Sequence, residues 1–382
     1  MRAASAIIMI AITIWTTKFA QAQQPQGGQR GGASLADRFR QYDKNGDGKL
    51  TRDEIPQLFD QLDANRDGAV TLDEAKAYYA GGRRRQGGEG QTPAAAQTAG
   101  VPMKITRDLP YARIEGAEPN LLSLDIYAPE NAKNCPAMVW AHGGAWAPGD
   151  KGQVANLPAA FLREGFVLVS VNYRLAPQVK FDAQAQDVAA AIAWVHRHAK
   201  EYGGDPSRVF AMGHSAGAHL VALVGTDENY LKAQGLSLAA LRGVVPLDTE
   251  VYDLKAFAAR FGGKLPDLYA TPFTQDAAVW AKASPIVHVA KGKGIPPMIV
   301  AYSGGQRPHG NPDRAEYAEA FVAKLTGAGV TAEVVGAPEK THVQIALEFG
   351  LPGDHVTEKV FGFLKRVQDV NATHGRPPGK ED

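Results

Sequence analysis

The sequence predicts a mostly parallel α/β sheet flanked by helices, preceded by a small all-α module. From residue 101 onward, short apolar and β-branched segments alternate with segments of helical periodicity. This alternation is typical of a parallel sheet covered by helices on both faces. The 382 residues suffice for one large domain and one small unit. Hydrophobic residues make up 45% and charged residues 21% of the chain, which is usual for a globular protein.

Seven segments have the composition of buried strands, and three longer ones have the periodicity of helices. We expect strands at residues 121–127, 136–141, 166–172, 209–212, 243–247, 297–302 and 332–335. We expect helices at residues 183–202, 314–326 and 356–369. Residues 225–290 are less regular, and we expect them to form a cap over the functional site.

The overall charge and the cysteine content exclude one class of partner and one kind of crosslink. A formal net charge of +1 gives no electrostatic reason to expect nucleic acid as a partner. Cys135 is the single cysteine, so an intramolecular disulfide is excluded. Because Cys135 precedes a predicted strand, we expect it to be a small buried apolar residue.

The N-terminal residues have the layout of a secretory signal peptide. Arg2 supplies a positive charge, residues 6–15 are mostly apolar, and residues 20–22 form an A-x-A cleavage site. The apolar run is shorter than the roughly 20 residues that a bilayer-spanning helix needs. The sequence therefore predicts removal of residues 1–22, no stable membrane insertion, and a periplasmic or secreted protein.

Composition also predicts the other boundaries of the chain. Residues 23–33 are rich in Gln and Gly, which predicts a flexible leader. Residues 81–100 contain Gly, Arg, Gln and Ala without apolar periodicity, which predicts a linker. We therefore expect a small module at residues 34–80, a large domain at residues 101–371 and a short tail at residues 372–382.

The predicted module contains two loops that match the EF-hand pattern D-x-[DN]-x-[DN]-G-x₅-E. Oxygen ligands would come from Asp43, Asn45, Asp47, Lys49 and Glu54 in the first loop, and from Asp63, Asn65, Asp67, Ala69 and Glu74 in the second. Lys49 and Ala69 would contribute backbone carbonyls, and the other residues side-chain oxygens. Such oxygen ligands around a glycine turn are typical of calcium sites.

The two loops lie closer together in the sequence than those of the usual EF-hand pair. Only residues 55–62 separate them, so one short helix must leave the first loop and enter the second. This spacing resembles the compact calcium repeats of secreted bacterial proteins, including dockerin-like modules. We expect a structural role for calcium, because a flexible linker transmits little strain to the large domain. Any contact with a protein or a cell surface is expected to use this module.

One serine of the large domain lies in the pattern G-x-S-x-G at residues 213–217. Residues 208–212 before it have a strand pattern, and residues 218–224 after it can continue as a helix. A strand–turn–helix context of this kind is that of a nucleophile elbow, which holds a serine hydroxyl above a sheet. Ser215 is therefore the candidate nucleophile.

A pair of glycines and one amide are the candidates for binding an oxyanion. Gly143 and Gly144 follow a predicted strand, and the lack of side chains lets the backbone approach a substrate closely. The amide of Ala216, directly after the candidate nucleophile, is a further donor. Backbone N–H groups aimed at developing negative charge stabilise the transition state of acyl transfer.

The candidate base is His342, which lies in a loop just after the last predicted strand and can reach the serine. His355 and His309 are the alternatives. A general base is needed because a neutral serine hydroxyl is a weak nucleophile until its proton is removed.

The carboxylate that orients the base is expected between Ser215 and His342 in the sequence. Asp313 is the only carboxylate between the sixth predicted strand and the helix after it, and we name it as the candidate. Asp248, directly after the preceding predicted strand, is an alternative, and so is Glu316. The sequence leaves these alternatives open.

Residues 101–371 resemble an α/β-hydrolase, close to the branch that holds hormone-sensitive-lipase-like esterases and kynurenine-formamidase-like enzymes. The motifs that carry the resemblance are at residues 142–146, 172–177, 203–206 and 213–217. The resemblance implies a serine hydrolase acting on carboxylic esters, less often on amides, with no catalytic cofactor. The chain departs from the family at Ala145, where a third glycine is common, and at the usual acid position, which glycine and glutamine occupy.

These features together predict an exported serine esterase with a calcium-binding module. Its predicted catalytic triad is Ser215, His342 and Asp313, and its predicted substrate is a small-molecule ester. Two alternatives stay open. One is an amidase or formamidase on the same triad, and the other is a non-catalytic, calcium-dependent binding protein.

Overall fold

The computed structural model describes residues 39, 43–52, 54, 67–79, 101–306 and 313–369. Four predicted segments lie outside the described residues: the signal peptide at 1–22, the leader at 23–33, the linker at 81–100 and the tail at 372–382. The candidate residues Asp63, Asn65 and His309 also lie outside them. The chain divides into two units, residues 1–90 and residues 91–382.

In the first unit, two short strands join the two EF-hand loops. Strand β1 (Lys49–Leu50) pairs antiparallel with β2 (Val70–Thr71), and helix α1 (Leu72–Tyr79) follows. Leu50 lies opposite Val70 in this pair, and both side chains are buried. These apolar residues follow the glycine turn of each loop, so the same repeat that spaces the polar residues also aligns the strands.

The described strands of the second unit form one eight-stranded sheet. They are β3 (Met103–Pro110), β4 (Ser123–Pro129), β5 (Cys135–Ala141), β6 (Val167–Val171), β7 (Gly204–His214), β8 (Leu241–Leu247), β9 (Met298–Ser303) and β10 (Ala332–Ala337). Their order across the sheet is β10-β9-β8-β7-β5-β6-β4-β3. Within this sheet β4 pairs antiparallel with both β3 and β6, and the other neighbours pair in parallel.

Helices connect the strands and cover the sheet. The described α-helices of this unit are α2 (Leu157–Arg163), α3 (Phe181–His198), α4 (Ala216–Thr226), α5 (Glu228–Lys232), α6 (Leu254–Ala259), α7 (Asp267–Phe273), α8 (Ala277–Ala283), α9 (Asp313–Gly327), α10 (Gln344–Leu347) and α11 (His355–Asp369). Short 3₁₀ helices lie at Pro119–Leu122, Ala199–Tyr202, Leu238–Ala240 and Pro285–His288. None of the helices in the described part of the chain is both long enough and apolar enough to cross a membrane.

Two apolar layers bury the sheet, because successive side chains of a strand point to opposite faces. Val139 of β5 packs in the layer that includes helices α3, α4 and α9. Its neighbour Met138 packs in the opposite layer, with helices α2 and α11. Burying one such side chain contributes about 1.5–3 kcal/mol. The two layers therefore hold the parallel strands whose ends carry the candidate site.

The predicted fold class is confirmed, and the differences concern strands at the edge of the sheet and in its centre. Strand β3 was not predicted, because it is a half-exposed edge strand in which even Ile105 is 42% exposed. Strand β7 spans 204–214, longer than the predicted 209–212. Residues 225–290, which the sequence suggested to be less regular, contain helices α5 to α8 and strand β8.

Candidate active site

The candidate functional residues follow neighbouring strands at the carboxyl edge of the sheet. Strands β7 and β8 end level with each other, with His214 paired to Leu247. Ser215 directly follows β7, and Asp248 directly follows β8. His142 begins the glycine-containing segment after β5, the neighbour of β7 on its other side. In open α/β sheets the crevice at this edge is where ligands bind.

Ser215 sits at a sharp turn between β7 and α4. Its backbone has φ 56° and ψ −116°, a left-handed conformation that costs a non-glycine residue about 1–3 kcal/mol. Close packing enforces the turn. A Cβ atom on Gly213 would lie 2.4 Å from the carbonyl carbon of Gly217, and one on Gly217 would lie 2.1 Å from the carbonyl oxygen of Ala141. The turn therefore needs both glycines.

The structure brings Ser215, His342 and Asp248 into one hydrogen-bonded chain. The Ser215 hydroxyl lies 2.9 Å from Nε2 of His342, and Nδ1 of the same ring lies 2.6 Å from Oδ2 of Asp248. The carboxylate accepts the Nδ1 proton, which leaves Nε2 free to accept the proton of the serine. This geometry is that of a nucleophile, a general base and an orienting acid.

The prediction that Asp313 is the triad carboxylate is not supported by the structure, which puts Asp248 in that position. Asp313 begins α9, and its Oδ1 lies 3.3 Å from the guanidinium of Arg260. Its side chain is 40% exposed, whereas that of Asp248 is fully buried. Glu316, another candidate, also contacts Arg260, at 2.5 Å.

Sheet order explains why Asp248 rather than Asp313 reaches the base. Asp248 comes directly after β8, the strand beside the one that carries Ser215, so it arrives next to the nucleophile with no intervening loop. Asp313 is separated from the end of β9 by residues 304–312 and lies in the first turn of α9. The signal available in the sequence was the carboxylate immediately after a buried strand.

The alternative base His355 lies elsewhere. Its Nε2 donates to the carbonyl oxygen of Gly336 at 3.1 Å, and its Nδ1 lies 3.8 Å from Glu339. The other alternative, His309, is outside the described residues. Among the described histidines that the sequence offered as bases, His342 is the one in contact with Ser215.

His214, which the sequence analysis did not assign, holds the loop of His342 against the end of β7. Its Nε2–H donates to the backbone carbonyl of His342 at 2.8 Å, and the two rings lie 4.6 Å apart. Burial, with the nearby His342 ring, lowers the pKa of His214 to about 3. The ring is therefore neutral near neutral pH and serves as a fixed donor. The amide of His342 donates to Gly305 at 2.5 Å and anchors the other side of the loop.

Asp248 accepts hydrogen bonds from several directions besides His342. The amide and the hydroxyl of Ser303 donate to its two oxygens at 2.9 Å and 2.5 Å. The buried guanidinium of Arg314 lies 2.8 Å from Oδ1. Burial by itself would raise the pKa of Asp248, but the charges of Arg314 and His342 and these hydrogen bonds hold it well below its usual range. Asp248 is therefore ionised in the folded protein near neutral pH.

Arg314 bridges Asp248 to a second buried carboxylate, Glu250. Its Nη2 lies 2.6 Å from Oε2 of Glu250, and the hydroxyl of Tyr269 in α7 donates to the other oxygen of the same carboxylate. Sequence reasoning missed both Arg314 and Glu250. Arg314 is adjacent in sequence to Asp313 and lies in the first turn of α9. The pattern of charged residues in the sequence does not show that this arginine is buried.

The backbone around Gly143 and Gly144 lies against the nucleophile. A Cβ atom on Gly143 would lie 3.2 Å from the Cβ of Ser215. Gly144 has φ 122°, and a Cβ there would lie 2.0 Å from the carbonyl oxygen of Pro148. Among the described residues no backbone acceptor pairs with the amides of Gly143 and Gly144. Ala216 is the first residue of α4, where helix amides also lack an intrahelical partner.

The buried ring of His142 fixes the orientation of this glycine segment. Its Nδ1–H donates to the carbonyl oxygen of Gly143 at 2.7 Å, and the Tyr173 hydroxyl donates to the carbonyl oxygen of His142 at 2.8 Å. In a trans peptide the C=O and the N–H point in opposite directions. The amides of Gly143 and Gly144 therefore point away from these two donors. Burial lowers the pKa of His142 to about 4, so the ring stays neutral.

One group of side chains in the described part of the chain could in principle hold a metal ion through its nitrogen and oxygen atoms: His214, Asp248 and His342. Three of its four ring nitrogens already have other partners. Nδ1 of His342 bonds to Asp248, Nε2 of His342 bonds to Ser215, and Nε2 of His214 bonds to a backbone carbonyl. We therefore assign this group to the serine site.

The described parts of the EF-hand loops fold around their acidic residues. In the first loop, the carboxylate of Asp43 accepts hydrogen bonds from the amides of Gly46, Asp47 and Gly48 at 2.8 to 3.1 Å. Gly48 and its counterpart Gly68 have φ 79° and 87°, the left-handed conformation of the glycine turn. Glu54 and Glu74 both accept from the threonine three residues earlier.

Comparison with protein-family models finds two matches. The BD-FAE family model matches residues 124–313, a range that includes Ser215 and Asp248. The EF-hand model matches residues 35–57 and 55–76.

Two curated relatives are esterases that are longer than this chain. Esterase LipQ of Mycobacterium tuberculosis is 31% identical over 273 residues, which is 68% of this chain and 62% of the relative. Isoprenylcysteine alpha-carbonyl methylesterase ICME of Arabidopsis thaliana is 28% identical over 252 residues, 60% of this chain and 56% of the relative. The chain thus spans less than two thirds of the length of these two proteins.

A solved structure has the same fold. Esterase B from Lactobacillus rhamnosis superposes with a TM-score of 0.57 at 20% sequence identity, over 73% of this chain and 93% of that one. At this identity the likeness concerns the arrangement of strands and helices.

Proposed function

Because this chain belongs to the α/β-hydrolase superfamily, we propose that it is a serine hydrolase that cleaves carboxylic esters. The observation that carries the proposal is the hydrogen-bonded chain from the Ser215 hydroxyl through His342 to Asp248. The similarity to LipQ and ICME, which are an esterase and a methylesterase, supports the choice of substrate class.

Acylation starts at the hydrogen bond between Ser215 and His342. Nε2 of His342 takes the hydroxyl proton as Oγ attacks the ester carbonyl carbon, and the carbonyl oxygen becomes an oxyanion. Asp248 stabilises the imidazolium because its carboxylate accepts the Nδ1 proton at 2.6 Å. His342 then gives its Nε2 proton to the leaving alcohol, and the acyl group stays on Ser215.

The amides of Gly143, Gly144 and Ala216 are the donors proposed for the oxyanion. The backbone of Gly143 lies against Ser215, and Ala216 directly follows Ser215 in the chain. The amides of Gly143 and Gly144 lack backbone partners among the described residues. One such donor contributes about 3 kcal/mol to transition-state stabilisation. In deacylation water attacks the acyl carbon while His342 removes one of its protons. The bond from that carbon to Oγ of Ser215 then breaks, His342 returns the proton to Oγ, and the carboxylic acid is released.

A fluorophosphonate probe tests the proposal, because it labels serines that an adjacent base has activated. The purified full chain is expected to be labelled at Ser215, as located by mass spectrometry of the modified peptide. It is also expected to hydrolyse a p-nitrophenyl acyl ester faster than the matched p-nitroanilide. The absence of both labelling and hydrolysis would contradict the proposal. Faster cleavage of the anilide than of the ester would replace ester by amide as the substrate class.

We also propose that the first unit binds calcium in a structural role. The donor set supports this, because Asp43, Asn45, Asp47 and Glu54 supply the hard oxygen ligands that calcium prefers. In the second loop, the buried oxygen Oε1 of Glu74 has no hydrogen-bond partner in the described chain, as expected of an atom meant to bind a cation. The proposed reaction at Ser215 uses no calcium-bound group. The export that residues 1–22 predict would expose this unit to calcium outside the cytoplasm.

Removal of calcium is expected to leave the serine site working. Isothermal titration of the full chain should give a Kd of about 10⁻⁴–10⁻³ M, and Glu54→Gln combined with Glu74→Gln should abolish binding. The matched control Glu118→Gln, an exposed glutamate of the second unit, should bind as the wild type does. Loss of fluorophosphonate labelling on chelation would contradict a purely structural role.

A further inference from the structure

Arg314 is a buried cation held between two buried carboxylates. Its side chain is 7% exposed, and its two terminal nitrogens lie 2.8 Å from Oδ1 of Asp248 and 2.6 Å from Oε2 of Glu250. Nη1 also lies 3.3 Å from Nδ1 of His342. A buried charge is costly unless it is paired, so this arrangement is built around a specific partner on each side.

The arrangement gives the two oxygens of Asp248 different ionisable partners, while Ser303 donates one hydrogen bond to each of them. Arg314 binds Oδ1, which leaves Oδ2 to accept the Nδ1 proton of His342. The planar guanidinium fixes the direction of both contacts, which the single ammonium of a lysine could not do. Arg314 therefore restrains rotation of the carboxylate that orients the base.

The same contact creates an electrostatic conflict, which Glu250 relieves. A cation 3.3 Å from the imidazole opposes its protonation, and protonation of His342 is what the proposed reaction requires. Asp248 and Arg314 alone sum to zero charge. With Glu250 the three side chains sum to −1, so that His342 again faces a net negative charge.

We propose that Arg314 is a positioning residue for Asp248, and that Glu250 is its counter-ion, which keeps the charge facing His342 negative. The proposal rests on the serine-hydrolase function proposed above. Tyr269 of α7 donates to Glu250, and its ring lies 5.8 Å from that of Trp146 in the segment after Gly144. The counter-ion is thereby held by α7 as well as by α9.

Other ionisable groups around this cluster are neutral, so the charge count is set by these three residues. The groups that face it are His214 at the end of β7, Tyr252 in the segment after β8, Tyr269 in α7 and Tyr317 in α9. Burial lowers the pKa of His214 to about 3 and raises the pKa of each of the three tyrosines. Neither type of side chain therefore carries charge near neutral pH.

The test measures the rate of fluorophosphonate labelling against pH, which requires no knowledge of the natural substrate. Glu250→Gln changes the summed charge facing His342 from −1 to zero, so the acid limb of the rate profile should move to lower pH by about one unit. Combining it with Arg314→Met restores the net charge of −1, and the limb should return to its wild-type position. Arg314→Lys keeps the charge, so the limb should stay, while the plateau rate falls about tenfold or more.

A matched control is Arg260→Met, which removes an exposed arginine that also pairs with two carboxylates. Its profile should coincide with that of the wild type. Rates are normalised to the labelled fraction at completion, so partial unfolding lowers the amplitude without moving the limb.

The outcomes separate this inference from the function on which it rests. An acid limb that stays in place in Glu250→Gln, with wild-type labelling intact, contradicts the charge-balancing role alone. An unchanged plateau in Arg314→Lys contradicts the positioning role alone. Absence of labelling in the wild-type protein contradicts the serine-hydrolase function itself, and the positioning role with it.

Discussion

Replacing Ser215 by alanine is expected to abolish fluorophosphonate labelling and to lower ester hydrolysis by about 10⁶-fold. The alanine removes the oxygen that attacks the carbonyl, whereas the backbone of the turn stays in place because the flanking glycines enforce it. Residual turnover would come from water and the oxyanion-binding amides. The measurement is the initial rate on a p-nitrophenyl ester together with gel-based detection of the probe.

Ser207→Ala is the matched control for this variant. Ser207 lies on the same strand as the nucleophile but is exposed, with its hydroxyl bonded to Asp205. Full labelling and full activity are expected. Labelling that persists in Ser215→Ala would mean that another serine is the activated one, and the proposed mechanism would be wrong.

Asp248→Asn is expected to lower the rate constant for ester hydrolysis by about 10⁴-fold. An amide in place of the carboxylate removes the charge that stabilises the imidazolium. Its NH₂ group also favours the tautomer of His342 in which Nε2 carries the proton and cannot accept one from Ser215. Oδ1 would in addition lose its ion pair with the buried Arg314. The measurement is kcat on the same ester, with circular dichroism to verify the fold.

Asp313→Asn provides the contrasting control. Its contact with Arg260 is exposed to solvent, and such pairs contribute little. Activity should therefore stay within about twofold of the wild type. Loss of activity in Asp313→Asn with retention in Asp248→Asn would reverse the assignment of the acid and restore the carboxylate expected from the sequence.

Several features of the site could be predicted from the sequence because they depend on short stretches of chain. Gly213 and Gly217 bracket Ser215 at the spacing that a strand–turn–helix junction requires, and the structure shows the close approaches that exclude larger residues. The glycines after β5 were identified for the same reason. In the EF-hand loops, the spacing of oxygen-bearing residues around a glycine is itself the pattern that the family model matches.

The partner of His342 was decided by the tertiary structure. Which carboxylate reaches the base depends on the order of strands in the sheet, and β8 lies directly beside β7 although more than twenty residues separate them in sequence. Asp313 had the expected place in the chain but pairs with Arg260 at the surface.

The chain by itself determined the nucleophile turn, the glycine segment and the alternation of strands and helices, because each follows from local sterics and periodicity. The tertiary structure alone decided that Asp248, Arg314 and Glu250 form one buried charge network. Ion pairing between residues 248 and 314 requires that the end of β8 and the start of α9 lie next to each other. It also depends on burial, because a charge pair interacts more strongly away from water. Neither the proximity of these two elements nor the burial of their side chains can be predicted from a short stretch of the sequence.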